Sequence, residues 1–253
     1  DLGLWLFIFG VVNLISNQIT GRIIVPKIGT KNIIMIGTTI LAFCPYLLVV
    51  VDTYFSFMLV AFPFGAAIGF VIPSNQTQVS NIENKTNKIY TPIYQAAFSA
   101  GSLSGALMAA YVIRQGIDPE ITFSVMGFII LISVLIIYFL GLPRSEDNAD
   151  PISKFQLPKK NIFIFGILLM FNFATIGIII DWSSLWLTRD LLAPLFLGGL
   201  VIVFFNAGEI VARLFASSFI QLLGEKIVGG YLSITGAVIL FTSILTSNLY
   251  LII

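Results

Sequence analysis

The sequence is built from long apolar runs separated by short polar segments, and this pattern restricts the fold more than any other feature. Each run holds about 20 residues or more, the length that a helix needs to cross a bilayer. Only helices and closed barrels span membranes, because backbone groups in lipid must bond within the protein. Barrel strands are shorter, at about 10 residues, and alternate in polarity. The sequence therefore predicts an all-α membrane protein, a polytopic helical bundle. The eight runs cover residues 2–25, 32–51, 54–73, 93–113, 121–141, 161–187, 195–218 and 227–247, and a ninth begins at Leu249.

Composition narrows the function classes. Hydrophobic residues make up 58% of the chain and charged residues 10%, more apolar surface than a soluble domain of this size could bury. The lipid bilayer is therefore the expected partner, and the net charge of +1 gives no indication of nucleic acid. The chain has no histidine and one cysteine, Cys44. These counts exclude histidine-based catalysis, a disulfide framework and a multi-thiolate metal site within the sequence, so we expect no enzyme activity, metal or cofactor.

Basic residues are divided unequally between the two sides of the predicted bundle. With the first polar segment in the cytoplasm, eleven Lys and Arg residues fall on or near the inner side, and only Arg114 and Arg189 fall outside. Such a bias sets the orientation of membrane proteins and places Asp1 outside. An outside start without Met, and an end within an apolar run, predict further helices on both sides.

Two parts of the sequence are similar at an offset of about 191 to 195 residues. The first run ends at Arg22, before Gly29 and Lys31, and the seventh ends near Arg213, before Gly224 and Lys226. The offset spans six helices, and some transporters are built from such repeats. We predict two pseudo-repeated six-helix halves of a twelve-helix transporter, present in part. Residues 1–141 would hold helices two to six, 142–160 a cytoplasmic linker, and 161–253 helices seven to nine with the start of the tenth.

Three stretches carry a resemblance to a known family. Gly21-Arg22 through Gly29-Thr30-Lys31 is similar to a Gly-x-x-x-Asp-Arg-x-Gly-Arg-Arg signature between the second and third helices, with Val25 at the acidic position. Residues 95–105 and Asp181-Trp182-Ser183 are similar to the fifth and seventh helices of bacterial sugar-permease-like proteins near fucose permease. These stretches resemble the Major Facilitator Superfamily. The resemblance implies a twelve-helix fold, alternating-access transport and location in the plasma (inner) membrane.

Four small residues recur at every fourth position of the run 93–113. They are Ala97, Gly101, Gly105 and Ala109. Small residues on one helix face let two helix backbones approach closely. We predict that this stripe packs against another helix, and that any functional role would come from sliding of that contact during transport.

Several polar residues lie within the predicted spans and are candidates for lining a substrate cavity. They are Asn13, Asn17, Asn172, Asp181, Trp182 and Asn206. Amides offer donors and acceptors to the hydroxyls of a solute, and an indole can stack on an apolar ring face. Other roles stay open: the amides can bond a neighbouring helix, and Trp182 can anchor its helix at the interface. Asp181 shapes an outer vestibule with Trp182 or bonds Arg189 locally.

Glu209 and Arg213 are charges inside the seventh run, where a charge costs about 2.5 to 3.5 kcal/mol on insertion scales. Their four-residue spacing, with the acid first, favours an ion pair. In the repeat alignment they correspond to Gln18 and Arg22. We predict coupling or gating roles for Glu209, Arg213, Arg22 and Lys31. Either the pair holds an inner gate, or Glu209 takes up a proton when the cavity opens inward.

Together these features predict a monomeric secondary active transporter. It would move a small polar organic solute by alternating access, with a sugar or sugar derivative as one candidate and protons as the coupling ion. Two alternatives remain. Phe-rich helices favour a drug or metabolite efflux transporter, and the same fold can serve as a non-transporting receptor or scaffold.

Overall fold

The computed structural model describes residues 2–146, 159–224 and 226–246. These residues form eight helices that are long and apolar enough to cross a membrane, and no strand occurs among them. The helices are α1 (Leu2–Ile28), α2 (Thr30–Val50), α3 (Tyr54–Thr86), α4 (Thr91–Gln115), α5 (Pro119–Leu140), α6 (Lys160–Arg189), α7 (Leu195–Leu223) and α8 (Ile227–Thr246). The prediction of an all-α membrane bundle is confirmed. The ninth run lies outside the described residues, as does most of the linker.

Helix α3 is longer than the sequence predicts. Its apolar run ends at Pro73, but the helix continues to Thr86. Proline removes one backbone donor, which neighbouring groups can compensate in membrane helices. The Thr77 hydroxyl donates to the Pro73 carbonyl at 2.9 Å, and Gln78 Nε2 donates to Thr30 Oγ1 of α2 at 3.1 Å. Contacts with another helix therefore support the polar turns beyond Pro73, and hydropathy does not report such contacts.

The described residues pack as two compact units. The first unit lies within Asp1–Tyr90 and Ile117–Phe155, and the second within Thr91–Gly116 and Gln156–Ile253. The first contains α1, α2, α3 and α5, and the second contains α4, α6, α7 and α8. Helix α4, which the sequence assigns to the N-terminal half, thus packs with helices of the C-terminal half. The division of the chain at residues 142–160 stays a prediction.

Glycines bring α1 and α3 of the first unit into close contact. A Cβ atom on Gly65 would lie 2.6 Å from the Phe9 carbonyl oxygen, and one on Gly69 would lie 2.6 Å from the Ser16 Cβ. The spacing Gly65-x-x-x-Gly69 is a known close-packing pattern in membrane helices. Any side chain at these two positions would push the helices apart.

An aromatic cluster lies at the other end of the contact between α1 and α3. The Trp5 ring stacks on Phe9 at 5.6 Å between centroids and lies 5.8 Å from both Phe57 and Phe64. Trp5 Nε1 donates to the Phe57 carbonyl at 3.0 Å, which satisfies the indole N–H of a buried side chain. The cluster therefore fixes where α1 meets α3.

In the second unit, α4 packs on α7 through a face other than the predicted one. A Cβ on Gly199 would lie 3.2 Å from the Ala110 Cβ, and Ala96 and Ser99 are buried on the same side of α4. These residues, rather than the predicted stripe, supply the close contact.

The stripe itself faces away from α7. Ala97, Gly101 and Ala109 are exposed and Gly105 is half-buried, and a Cβ on either glycine would meet no described atom within 4 Å. Packing of another helix against this stripe stays a prediction. Small residues permit close approach, but the packed face is the one that carries Ser99, whose hydroxyl bonds to α7.

The two repeated segments share one backbone turn. Gly29, between α1 and α2, has φ 83° and ψ 156°, and Gly224, between α7 and α8, has φ 83° and ψ 154°. Each donates its N–H to the carbonyl four residues earlier at 2.9 Å. Only glycine adopts this region of backbone space readily. The matching turns support the internal repeat predicted from the sequence.

Candidate functional site

The charged pair on α7 exists as predicted. Arg213 Nη2 lies 2.9 Å from Glu209 Oε1, and the two side chains are 28% and 19% exposed respectively. Glutamate one helical turn before arginine places the two groups on one face. Each charge is thus compensated by the other within a span that holds no other charged residue.

A buried serine on α4 completes the cluster. The Ser99 hydroxyl donates to Glu209 Oε2 at 3.1 Å and accepts a hydrogen bond from Arg213 Nη1. Arg213 Nη1 also donates to the Gln95 carbonyl at 3.1 Å. Both carboxylate oxygens of Glu209 therefore have a partner, and one hydroxyl links the acid to the base. We call Ser99, Glu209 and Arg213 the α4–α7 cluster.

The α4–α7 cluster has the parts needed to respond to a proton. A proton on Glu209 would remove the negative charge that holds the Arg213 guanidinium. The guanidinium would keep two neutral acceptors, the Ser99 hydroxyl and the Gln95 carbonyl. Hydrogen bonds between charged partners are roughly twice as strong as neutral ones. Protonation would therefore weaken the contact between α4 and α7.

Ser99 was not predicted from the sequence. Its partner Glu209 lies 110 positions further along the chain, and nothing local to α4 indicates that pairing. The signal that was available is a small hydroxyl one helical turn after Gln95, on the side of α4 away from the glycine stripe. That signal indicates a polar face on α4 but does not indicate which helix packs against that face.

Asn206 lies one turn before Glu209 and does not join the cluster. Its side chain is 2% exposed, and Nδ2 donates to the Ile202 carbonyl of its own helix at 2.8 Å. The amide is thus partly satisfied inside α7. Its role in a substrate cavity stays a prediction.

The candidates on α6 lie apart from the cluster. Asn172, Asp181 and Trp182 are exposed on that helix. Among the described residues Asp181 makes no ion pair with Arg189, and a local bond of Asp181 to the hinge after α6 stays a prediction. Ser183 Oγ beside it is buried and has no described hydrogen-bond partner. The outer vestibule that these residues would shape stays a prediction.

The candidates on α1 lie at the close contact with α3. Asn13 and Asn17 are half-buried, and their backbone atoms lie 2.8 and 2.9 Å from the position of a Cβ on Gly69. The Gly65-x-x-x-Gly69 pattern was readable in the sequence and was missed. Both asparagines are therefore held where α1 meets α3, and cavity lining by their amides stays a prediction.

The basic candidates of the first unit surround the Gly29 turn. Lys31 Nζ lies 5.1 Å from the centre of the Tyr138 ring, within cation–π range. Arg22 is exposed on α1, in the π-helical turn Thr20–Ile24. The predicted part of both residues in gating stays a prediction.

Comparison with known proteins identifies the family. The family model of the Major Facilitator Superfamily matches residues 1–253. An uncharacterised MFS-type transporter of Yersinia pestis is 24% identical over 188 residues, which cover 74% of this chain. The chain spans about half the length of this relative, since the match covers 48% of it. With a match along its whole length, the chain belongs to the Major Facilitator Superfamily.

Proposed function

We propose that the chain is part of a secondary active transporter that moves a small polar organic solute across the membrane by alternating access. The α4–α7 cluster carries the proposal. It joins a helix of the predicted N-terminal half to a helix of the predicted C-terminal half, and transporters of repeated halves work by rocking one half against the other. A contact that must open and close in each cycle is where coupling has the most effect.

Protons are the coupling ion in this proposal, and Glu209 is their acceptor. With Glu209 ionised, the carboxylate holds Arg213 and Ser99, and α4 stays bound to α7. With Glu209 protonated, the contact weakens and the cytoplasmic side of the cavity opens. The 19% exposure of the Glu209 side chain leaves a route for a proton without leaving the group in bulk water.

A sugar or sugar derivative is the first substrate class to test. Support for it comes from the resemblance of residues 95–105 and Asp181-Trp182-Ser183 to sugar-permease-like proteins. The amides of Asn13, Asn17 and Asn172 add donors and acceptors of the kind that hydroxyls bind. The same proposal places the protein in the plasma (inner) membrane as a monomer.

The test uses the full-length protein in liposomes that contain the pH dye pyranine. A panel of hexoses, deoxyhexoses and amino sugars is added outside, and proton entry and tracer uptake are followed together. We expect at least one member to bring protons in with it. Lipophilic cations are tested in the same assay, and a response restricted to them would replace the polar solute by an efflux substrate. No movement of any solute would favour a receptor or scaffold.

A further inference from the structure

One end of the first unit concentrates positive charge. This is the end at which α1 and α5 finish and α2 begins. Of the acidic side chains described in this unit, Glu83 is at this end, while Asp52, Asp118 and Glu120 lie at the opposite ends of α2 and α5. The basic residues here are Arg22, Lys27, Lys31, Lys85, Lys88 and Arg144.

Contacts hold the end of α5 against the Gly29 turn. Arg144 Nη2 donates to the Pro26 carbonyl at 3.5 Å, and Lys31 Nζ lies 5.1 Å from the Tyr138 ring centre. A Cβ on Gly141 would lie 3.2 Å from Lys31 Cγ, so the lysine stem lies along α5. The cationic groups of Lys31 and Arg144 are thus brought to the same turn.

Lys27 adds a third cation to the segment before Gly29, and the turn itself supplies no acid. Lys27 is exposed in the same turn, next to Pro26. The position that is acidic in the family signature is Val25, which is 4% exposed. Glu83 accepts the Tyr90 backbone N–H at 2.6 Å. Three cations therefore surround the turn without a carboxylate from the turn to balance them.

We propose that Lys27, Lys31 and Arg144 form a binding surface for the headgroups of anionic phospholipids in the cytoplasmic leaflet. Basic clusters beside the ends of transmembrane helices attract anionic lipids, and arginine and lysine are the usual ligands of phosphate. The charge bias of the whole chain predicts that this end is cytoplasmic. Tyr138, which is 55% exposed, has the amphipathic ring that favours the headgroup level.

The test measures lipid binding to the full-length protein, purified in detergent, by titration with phosphatidylglycerol or phosphatidylcholine and native mass spectrometry. The variant is Lys27→Gln/Lys31→Gln/Arg144→Gln. The matched control is Lys159→Gln/Lys160→Gln/Lys226→Gln, which removes the same charge from the second unit. We expect the first triple to lose roughly tenfold or more in phosphatidylglycerol affinity, since one basic residue near an anionic surface contributes on the order of fivefold.

The control triple should change that affinity by less than about twofold, and high salt should weaken the wild-type binding. An equal loss in both triples would show an effect of net charge alone and overturn the proposal. Equal affinity for the two lipids, or complete competition by inorganic phosphate, would overturn it as well. If the first triple does not fold, the exposed Lys27→Gln single variant supplies the comparison. Lipid binding is read without transport, so its failure is separate from failure of the proposed function.

Discussion

The turn at Gly29 and the turn at Gly224 have nearly the same backbone and different charges around them. Their φ and ψ angles agree within a few degrees, at 83° and 156° against 83° and 154°. Ahead of the first turn, α1 has Gln18 and Arg22, both exposed. Ahead of the second, α7 has Glu209 and Arg213, paired at 2.9 Å and joined to Ser99 of α4.

The comparison separates the backbone conformation, which the two copies share, from the charged side chains, which differ between them. A glycine-specific conformation fixes each turn, so the backbone is the same in both copies. The side chains about two to four turns earlier are free to differ, because they do not determine the turn. The second copy carries an acid and a helix partner, and the first carries an amide and a cluster of basic residues. This contrast is the basis for proposing coupling in the second copy and membrane-surface contact in the first.

The largest expected difference between the copies is the cost of removing the arginine. Arg213→Gln would leave the Glu209 carboxylate in α7 with Ser99 alone, and a stranded, partly buried charge costs about 2–4 kcal/mol of unfolding free energy. Arg22→Gln, at the exposed equivalent position, should cost less than about 1 kcal/mol. Denaturant unfolding of the two variants in detergent measures both.

A double variant separates two causes of the lost stability: the unpaired Glu209 charge and the missing packing of the Arg213 side chain. Glu209→Gln/Arg213→Gln removes the stranded charge and should recover part of the stability lost in Arg213→Gln alone. Equal destabilisation by Arg22→Gln and Arg213→Gln would contradict the contrast between the copies.

Replacing Gly29 or Gly224 should lower stability by similar amounts, and by less than the loss of Arg213. Gly29→Ala and Gly224→Ala each force an L residue into a region that costs on the order of 1–3 kcal/mol. The expected result is a similar drop in melting temperature for both variants, measured in the same detergent. Gly101→Ala is the control, since it lies mid-helix in open space and should not lower stability. A drop at one turn only would argue against a repeated backbone.

The smallest effect is expected from making the first copy resemble the second. Gln18→Glu places an acid one turn before Arg22, and an exposed pair of this kind contributes about 0.3–0.5 kcal/mol. Thermal unfolding at low and high salt tests this, since the gain should fall with salt. A gain above about 2 kcal/mol would exceed what an exposed pair contributes and would contradict the contrast between the two copies.

Most of the fold follows from the sequence because the bilayer leaves few choices. Runs of about 20 apolar residues must form helices, and the eight helices lie where those runs are. The extension of α3 from Pro73 to Thr86 could not be read the same way. It depends on the Gln78–Thr30 hydrogen bond, a contact between residues that no local pattern connects.

The site follows from the sequence in part. The Glu209–Arg213 pair was predicted because an i, i+4 spacing on a helix determines the distance between two side chains. Ser99 was not, because helix-to-helix contacts depend on which faces meet. The packing of α4 shows the same limit: the stripe with Gly101 and Gly105 has the composition of a packed face, while the face with Ser99 makes the contact.

The central claim is that Glu209 couples solute movement to protons, and one variant tests it directly. Glu209→Gln preserves shape and removes the titratable group, while Glu209→Asp keeps it and Glu120→Gln is a matched change at the start of α5. In the liposome assay, with whichever solute the panel identifies, Glu209→Gln should still exchange solute across the membrane. It should fail to accumulate solute against a gradient and should bring no protons in. Normal proton-driven accumulation by Glu209→Gln would contradict the account.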